Sequence, residues 1–483
     1  MHTHSVKYNF IMNMILKVSS LIFPLITLPY ITRTLGATQN GKIEFATSIV
    51  SYFLMLAQLG IPTYGVRACA KCRDDKNKLT KTVHELLFIN CISCLFSYVL
   101  LIFATIYTYK FYEYRLLIMI QSISLLMNML GMEWFYQAIE QYQYITVRNI
   151  IFKFVGIVMM FCLIHNPDDY LLYCGITVFC SCGSYLLNFI YGRHILNHKL
   201  YLGKYEIKKH LKPIFIFFAL SIAVSIYANM DTVMLGFMSN DKEVAFYAIA
   251  TKIKIILAMV ISSLGPVLLP RIVYYLSVGQ KEKFEYYLEK SIHFVLIISG
   301  ALVGYFFFMA NVVIKILGGD EYMDAVPIMR VIMLALIPLG IGNIVCNQVL
   351  TPLGKEKYIM YSTIVGACIN LVFNLFLIPI FGALGATIAT VITETVVAGI
   401  QLFHSRDNII IVFKKLQYLK ILSAVSIALI ILNLTKYYLH ANDFIQIVIT
   451  FSVYIIAYFS LLLIFKDSFV CNYFKIFVNR IRK

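Results

Sequence analysis

Charged side chains inside long apolar stretches are the residues of this sequence most able to do chemistry. They are five cations and two carboxylates: Lys17, Lys153, Lys252, Lys254, Arg330, Asp231 and Glu394. A charge near the centre of a membrane helix costs about 2.5–3.5 kcal/mol, so a retained one usually faces a partner or a water-filled cavity. A cavity with this excess of cations would suit a phosphate or a pyrophosphate. We therefore predict that an anionic group is bound by Lys17, Arg33, Lys153, Lys252 and Arg330.

The two carboxylates, Asp231 and Glu394, have a different predicted role. A ligand shifts a conformational equilibrium only if it binds the two states with different affinity. A carboxylate inside the membrane can bind a proton or a cation in this way. We expect Asp231 and Glu394 to be coupling sites for H+ or Na+.

Simpler explanations stand beside these predictions. Lys17 and Glu394 could belong to a structural ion pair, and Asp231 could pair with a lysine. Lys252 and Lys254 point about 200° apart on a helix, so at most one of them lines a central cavity. The sequence does not decide which of the two lysines lines the cavity.

Three arginines lie at the ends of apolar stretches: Arg33, Arg67 and Arg271. They either mark the two mouths of one pathway, with Arg33 outside and the other two inside, or contact lipid head groups.

A motif rich in aromatic and charged residues, GMEWFYQAIEQYQYITVRN, covers residues 131–149. The residues singled out in it are Glu133, Trp134, Glu140, Arg148 and Asn149. An aromatic belt at a membrane interface would explain the only tryptophan and the tyrosines, but it would not explain the two glutamates. Aromatic faces beside carboxylates and amides also bind sugars.

Two cysteine pairs, Cys69-x2-Cys72 and Cys91-x2-Cys94, have the spacing of a four-cysteine zinc site. The second pair lies within the apolar run LLFINCISCLFSYVLLIF, so we expect the cysteines to act as small apolar residues and predict no metal site. No catalytic triad, phosphate-binding glycine-rich loop or nucleotide motif is present. The sequence therefore predicts neither an enzyme nor an ATP-driven pump, and no cofactor.

The elements that must position these residues are membrane helices. The chain is 60% hydrophobic and 13% charged, against roughly 25% charged in a soluble protein. Its apolar runs are long enough to cross a bilayer, at about 20 residues each. We predict fourteen spans: 8–30, 43–65, 83–108, 116–137, 145–165, 170–192, 213–237, 244–269, 291–317, 326–350, 358–378, 383–404, 421–438 and 444–465.

The 41 lysines and arginines lie mostly in the N-terminus, in every second loop and in the C-terminus. This is the positive-inside pattern, which places both termini in the cytoplasm. The net charge of +17 is therefore explained by topology, and a nucleic-acid partner is not expected.

A weak internal repeat divides the chain. Leu35-Gly36 corresponds to Leu235-Gly236, and Gly60-x-Pro62 followed by Arg67 resembles Gly265-Pro266 followed by Arg271. Both copies enter from the same side, so the repeat is parallel. We predict a six-helix lobe at 1–192, a cytoplasmic connector at 193–212, a second six-helix lobe at 213–404, and helices 13 and 14 with a basic tail at 405–483.

Several stretches resemble the polysaccharide-transport branch of the multidrug/oligosaccharidyl-lipid/polysaccharide exporter superfamily. They are LPYITRTLG, QLGIPTYGVR, EWFYQAIEQYQYITVRN, MDTVMLG, QVLTPLGKEKY and NLFLIPIFGALGATIATVITE. The resemblance implies an all-α transporter with two six-helix lobes in a V and alternating access. It further implies a flippase of the bacterial inner membrane that moves an undecaprenyl-pyrophosphate-linked oligosaccharide repeat unit of O-antigen or capsule type. Membrane lipids, and the polymerase and chain-length proteins of the same pathway, would be its partners.

Three other functions are weighed against this one. A drug/cation antiporter of the same superfamily would favour a less cationic cavity. A flippase for peptidoglycan precursors could use the same scaffold. A glycan polymerase would be expected to carry a large outward loop, and no such loop is predicted.

Overall fold

Helices make up the protein throughout the part that the structure describes. The computed structural model describes residues 5–196, 205–439 and 441–481, and these ranges contain no strand. The α-helices are α1 (Val6–Gln58), α2 (Ile61–Ala70), α3 (Lys76–Tyr107), α4 (Tyr109–Glu113), α5 (Arg115–Gly131), α6 (Glu133–Ala138), α7 (Tyr142–Leu163), α8 (Tyr170–Val178), α9 (Tyr185–Ile195), α10 (Lys208–Met238), α11 (Asp241–Ile261), α12 (Gly265–Ser277), α13 (Lys281–Phe308), α14 (Ala310–Gly318), α15 (Ala325–Met333), α16 (Leu336–Ile344), α17 (Glu356–His404), α18 (Arg406–Lys415), α19 (Tyr418–Tyr438), α20 (Asp443–Ile464) and α21 (Ser468–Ile481). Short 3-10 segments cover Pro167–Asp169, Ser262–Leu264 and Asp320–Tyr322, and π-helical segments cover Phe179–Gly183 and Val345–Leu350.

Twelve helical segments of the described chain are long and apolar enough to cross a membrane. Two of the helices in them, α1 and α17, each cover two predicted spans, so the twelve segments account for all fourteen. Their interiors contain one non-helical residue each, Gly36 (φ 74°) and Gly382 (φ 56°). Positive φ is a conformation that glycine adopts without steric cost. The predicted all-α polytopic fold is confirmed.

Contacts group the chain into two compact units, Met1–Ala245 and Phe246–Lys483. The boundary lies inside α11, and α10 packs on α1 and α2 in the first unit. The predicted lobes were defined by the repeat and not by contacts, so that division stays a prediction. Part of the predicted connector, 197–204, lies outside the described residues.

One carboxylate, that of Glu140, fixes the course of the chain in the first unit. Asn9 Nδ2, near the start of α1, donates to Glu140 Oε2 at 3.3 Å. Arg73, which follows α1 and the short α2, donates to Glu140 Oε1 at 2.5 Å. Both ends of α1 therefore lie at the same end of the unit, and the chain reverses between them. Gly36 is where the backbone leaves the helical conformation.

The opposite end of the first unit is joined by Asp241, the first residue of α11. Tyr114, at the start of α5, donates its hydroxyl to Asp241 Oδ1 at 2.5 Å. A Cβ added at Gly41 would lie 1.7 Å from the Asp241 carbonyl oxygen, so the two backbones are in close contact. The links between spans 1 and 2, 3 and 4, and 7 and 8 thus meet at one end, as alternate crossing requires.

In the second unit α13 is the central helix, and the antiparallel pair α19 and α20 packs against it. Tyr458 donates to the carbonyl of Ile297 at 3.0 Å, and Tyr305 donates to that of Ile447 at 3.0 Å. The last two spans therefore belong structurally to the second unit.

Candidate functional site

Lys153 lies on α7 where this helix faces α1 and the π-helical segment Phe179–Gly183. Its Nζ donates to Ser20 Oγ of α1 at 2.6 Å. Small residues let the helices approach here, because a Cβ added at Gly156 would lie only 1.8 Å from the sulfur of Cys180. The lysine is therefore held at a tight crossing of three helical segments.

A cavity of about 230 Å³ opens beside this lysine. Its polar lining residues are Ser20, Thr27, Lys153, Tyr173, Thr177 and Ser181. Lys153 is the one charged residue of the lining, and among the described residues it forms no ion pair. An ammonium group surrounded by hydroxyls, inside a membrane helix, can bind an anion.

A larger groove of about 580 Å³ lies between α10 and the second half of α1 with the start of α2. The residues Ser221, Ser225 and Asn229 line it from α10 at helical spacing, so they share one face. Across from them are Ser51 and Gln58 of α1. Hydroxyls and amides without charge, on otherwise apolar walls, can hydrogen-bond to neutral polyhydroxyl groups.

The close packing of these helices begins at Gly60, which separates α1 from α2. Its φ is 73°, and a Cβ added there would lie 2.6 Å from the backbone nitrogen of Phe218 in α10. Any larger residue at this position would push the groove walls apart.

The motif at 131–149 forms a buried polar network. Arg148 is 4% exposed and hydrogen-bonds through Nη1 to Oδ1 of Asn188, which is fully buried. Its Nη2 lies 3.5 Å from Glu133 Oε1, and Tyr185 donates to Glu133 Oε2 at 3.1 Å. The rings of Tyr144 and Tyr185 lie over the Arg148 guanidinium at 5.5 and 5.4 Å. The Arg148 guanidinium is thus enclosed by an amide, a carboxylate and two tyrosine rings.

The other predicted residues of the motif are packed in the same region. Asn149 Nδ2 lies 3.5 Å from Glu133 Oε1. Trp134 is 5% exposed and packs on Gly65 of α2, where an added Cβ would be 2.7 Å from the indole. The structure brings Glu133, Arg148 and Asn149 together in the interior, so the sugar-binding role predicted for this motif stays a prediction.

The remaining predicted charges are distributed over both units. In the first unit, Lys17, Arg33 and Arg67 are exposed and Asp231 is 6% exposed. In the second unit, Arg271 and Arg330 are exposed, Lys252 is half-buried and Glu394 is 9% exposed. Lys17 does not line the Lys153 cavity, although both residues belong to the first unit. The predicted set is thus not gathered in one unit.

Arg271 lies against a pair of stacked tyrosines that the sequence did not point to. Its guanidinium is 5.7 Å from the ring centroid of Tyr287, which stacks on Tyr275 at 5.4 Å. Lys283 lies over the Tyr275 ring at 5.2 Å.

A fully buried carboxylate, Glu85, was also missed by sequence reasoning. Glu85 contacts His210, 125 residues further along the chain. In the sequence, Glu85 stands out only as a carboxylate at the edge of an apolar run, next to a segment rich in basic residues.

The cysteines form no metal site in the part of the chain that the structure describes. No group of three or more histidine, cysteine or acidic side chains that could hold a metal ion occurs there. All eleven cysteines are free thiols, and Cys69 and Cys94 are buried among apolar residues.

Comparisons with known proteins identify relatives along most of the chain. The family described as "Polysaccharide biosynthesis protein" matches residues 6–276, and the family described as "MatE" matches residues 216–376. A protein of Escherichia coli (strain K12) named "Putative O-antigen transporter" is 24% identical over 413 residues, which are 84% of this chain and 98% of that protein.

Two solved structures have a similar fold. One is entitled "Lipid II flippase MurJ, inward closed conformation"; its TM-score is 0.75 at 15% identity, over 95% of this chain and 100% of that chain. The other is an inward-facing multidrug resistance MATE family transporter, with a TM-score of 0.58 at 15% identity over 82% of this chain and 99% of that chain. At this identity the likeness shows the fold alone.

Proposed function

Since this chain belongs to the polysaccharide biosynthesis protein family, we propose that it is a flippase for lipid-linked oligosaccharides. The predicted exporter superfamily is confirmed by the family matches, and so is the prediction of a transporter rather than an enzyme. Its substrate in this proposal is an undecaprenyl-pyrophosphate that carries one oligosaccharide repeat unit, of O-antigen or capsule type. The protein moves it across the bacterial inner membrane by alternating access, with both termini in the cytoplasm.

The observation that carries the proposal is the Lys153 cavity. A lysine inside a membrane helix, bound to Ser20 and without an ion pair in the described chain, leaves a positive charge to be balanced. A pyrophosphate crossing the membrane needs such a charge, because desolvation of an unpaired anion is costly. Lys17, Arg33, Lys252 and Arg330 are proposed as further contacts of the pyrophosphate.

The glycan requires a different surface, and the groove between α1 and α10 supplies it. Ser221, Ser225 and Asn229 present neutral donors and acceptors, and the apolar remainder of the wall can pack against sugar rings. The prenyl tail stays in the lipid. Contacts with membrane lipids, the polymerase and the chain-length proteins remain part of the same proposal.

Coupling to an ion gradient is proposed for Asp231 and Glu394, which are both buried. The test uses Asp231→Asn and Glu394→Gln in proteoliposomes under an imposed H+ or Na+ gradient. Gradient-driven transport is expected to fall to the level without a gradient, while downhill exchange persists. Full gradient-driven transport in both variants would exclude these two carboxylates as coupling sites.

The main experiment reconstitutes the full chain in liposomes with a fluorescent undecaprenyl-pyrophosphate oligosaccharide. Flipping is measured as the fraction of label that a membrane-impermeant quencher reaches with time. Rapid equilibration is expected with the protein and not in protein-free liposomes. Equal rates in the two preparations would overturn the proposal.

A drug/cation antiporter is the second candidate, and the MatE match over 216–376 favours it. Efflux of a lipophilic cation from the same liposomes, without flipping of the oligosaccharide lipid, would support it.

A precursor lipid of peptidoglycan, added as an unlabelled competitor, tests the third candidate function, that of a flippase for peptidoglycan precursors. Stronger competition by that lipid than by unlabelled oligosaccharide lipid would make it the substrate.

A further inference from the structure

A buried group of titratable side chains joins α2, α3 and the start of α10, outside the cavity and groove described above. At its centre, Glu85 of α3 is fully buried. Its Oε1 accepts a hydrogen bond from the backbone nitrogen of Glu206 at 2.6 Å, and its Oε2 lies 2.8 Å from His210 Nε2. His210 is 3% exposed. A histidine and a carboxylate are thus paired away from water where α10 begins.

The second ring nitrogen of His210 has a partner of its own. Its Nδ1 lies 2.8 Å from the hydroxyl of Tyr64 on α2. Since a carboxylate only accepts, Nε2 carries a hydrogen. In the neutral ring Nδ1 then accepts from the Tyr64 hydroxyl, and in the charged ring Nδ1 donates to it. The imidazole can therefore take up a proton without losing either hydrogen bond.

The ion-paired side chains around Glu85 carry equal numbers of positive and negative charges when His210 is neutral. Lys209 Nζ lies 3.2 Å from Glu85 Oε2 and 3.0 Å from Glu206 Oε2. Lys81 Nζ lies 3.8 Å from Glu85 Oε1 and 3.7 Å from Glu206 Oε1. Two lysines thus face two carboxylates, and a proton on His210 adds one uncompensated positive charge.

Other titratable groups face this cluster from the same elements. Arg67 and Cys69 of α2 act electrostatically on Tyr64, and His84 of α3 lies 3.5 Å from the Tyr205 hydroxyl. The hydrogen bond from Lys209 holds the pKa of Glu206 below its usual range, so this carboxylate stays charged near neutral pH. His210 is the imidazole of the cluster that is both buried and bonded to the central carboxylate of Glu85.

Tyr64 links the cluster to the groove. Its ring lies 6.4 Å from that of Phe217, and Phe217 and Thr63 both line the groove. The next residue, Gly65, is the one on which Trp134 packs. Tyr64 therefore lies on the helix whose first residues line the groove, next to the glycine that contacts the only tryptophan.

We propose that His210, with Glu85 and Tyr64, forms a proton-binding site that controls the packing of α2 against α10 at the end of the groove. The proton binds Nδ1 of the neutral ring, and the Tyr64 hydrogen turns away to another acceptor. The imidazolium then donates to the Tyr64 oxygen, and its added charge repels Lys209. The role of this site in transport rests on the flippase function proposed above.

Trp134 provides the readout, since it is the only tryptophan. Its fluorescence is recorded in the full chain in detergent, without substrate, as the pH is varied. The wild type is expected to show one transition between about pH 5 and pH 8, the range of histidine. His210→Gln should remove it. Glu85→Gln should move its midpoint to lower pH by about one unit or more, because a nearby carboxylate favours the charged ring.

His293→Gln is the matched control. His293 is also buried and also bonded to a carboxylate, with Nε2 2.9 Å from Asp467 Oδ2, but it belongs to the second unit. The Trp134 transition should survive in this variant. A wild type without a transition, or a transition unchanged by both His210→Gln and Glu85→Gln, would overturn the proposal. If His210→Gln does not fold, the midpoint of the transition in Glu85→Gln tests the proposal. A midpoint that equals that of the wild type would overturn it.

Transport and proton binding can fail separately. In the liposome assay, His210→Gln should change the pH dependence of flipping between about pH 5 and pH 8, and His293→Gln should leave it as in the wild type. A fluorescence transition with no flipping in any variant would contradict the flippase function but not the proton-binding site. Flipping without the transition would contradict the proton-binding site alone.

Discussion

The Glu140 carboxylate lies 2.5 Å from the Arg73 guanidinium. The backbone of Glu140 has a φ of 60°, which is in the left-handed region. A left-handed conformation costs a residue with a Cβ about 1–2 kcal/mol. The contacts of Glu140 with Arg73 and Asn9 help to hold it there. Glu140→Ala and Glu140→Gly both delete these contacts and differ only in the backbone cost.

We therefore expect Glu140→Gly to be more stable than Glu140→Ala by about 1 kcal/mol, although both are less stable than the wild type. Denaturant unfolding in detergent measures the difference. The same pair at Gln141, where φ is −83°, should not favour glycine. Equal stability of the two Glu140 variants would show that the left-handed backbone there carries no cost.

Substitution of Lys153 tests the anion cavity. Lys153→Met keeps the length of the side chain and removes its charge, so the flipping rate should fall about tenfold or more, as expected for loss of a charged contact worth about 1.5–3 kcal/mol. Lys153→Arg should retain more activity than Lys153→Met. Lys436→Met is the control, because this lysine lies near the end of α19, beside Asn311. Normal flipping by Lys153→Met would remove the cavity from the mechanism.

The crossing of α7 with the π-helical segment gives a packing test. Gly156→Ala places a methyl group where the Cys180 sulfur is, and overpacking of this kind costs about 1–3 kcal/mol. Cys180→Ala removes the sulfur, so the double variant should recover most of the lost stability. Thermal unfolding of the two single variants and the double variant measures this coupling. Additive losses in the double variant would mean that the two residues do not meet.

We expect the contacts of Asp467 at the start of α21 to be sensitive to acid. Burial raises its pKa, but hydrogen bonds from His293 and from the amides of Val470 and Phe469 outweigh burial and hold the pKa below its ordinary value. The stability that this carboxylate contributes is thus complete above its unfolded pKa of about 4 and is lost as the pH falls through the lower folded value.

Limited proteolysis of α21 in the full chain should therefore become faster in acid. Asp467→Asn should show the faster cleavage already at neutral pH, because it weakens the bond to His293. Asp443→Asn, which breaks a partly exposed pair with Lys315, is the control and should leave α21 protected. Cleavage of α21 that is independent of both pH and Asp467 would contradict the assignment.

The fold was predictable because its signals are local. A run of about 20 apolar residues predicts a span wherever it occurs. Gly36 lies between the predicted spans 8–30 and 43–65, and the structure makes the reversal with this single non-helical residue. Lys153 could be singled out because one charge in an apolar stretch is visible without any knowledge of its neighbours.

The partners of the site were not predictable, because they come from distant parts of the chain. Ser20 and Lys153 are 133 residues apart, and Glu85 and His210 are 125 residues apart. The spacing of a motif carries no information about such pairs. For the same reason the sequence showed Glu133 and Arg148 as one motif, whereas Asn188, which completes their network, lies 40 residues beyond Arg148.

The reversal at Gly36 leaves almost no loop between the two halves of α1. Each residue of a helix turns the next by about 100°, so one inserted residue between Gly36 and Ser51 would rotate Ser51 and Gln58 away from the groove. A longer loop elsewhere could absorb the same insertion. We therefore expect this hairpin to tolerate no change of length.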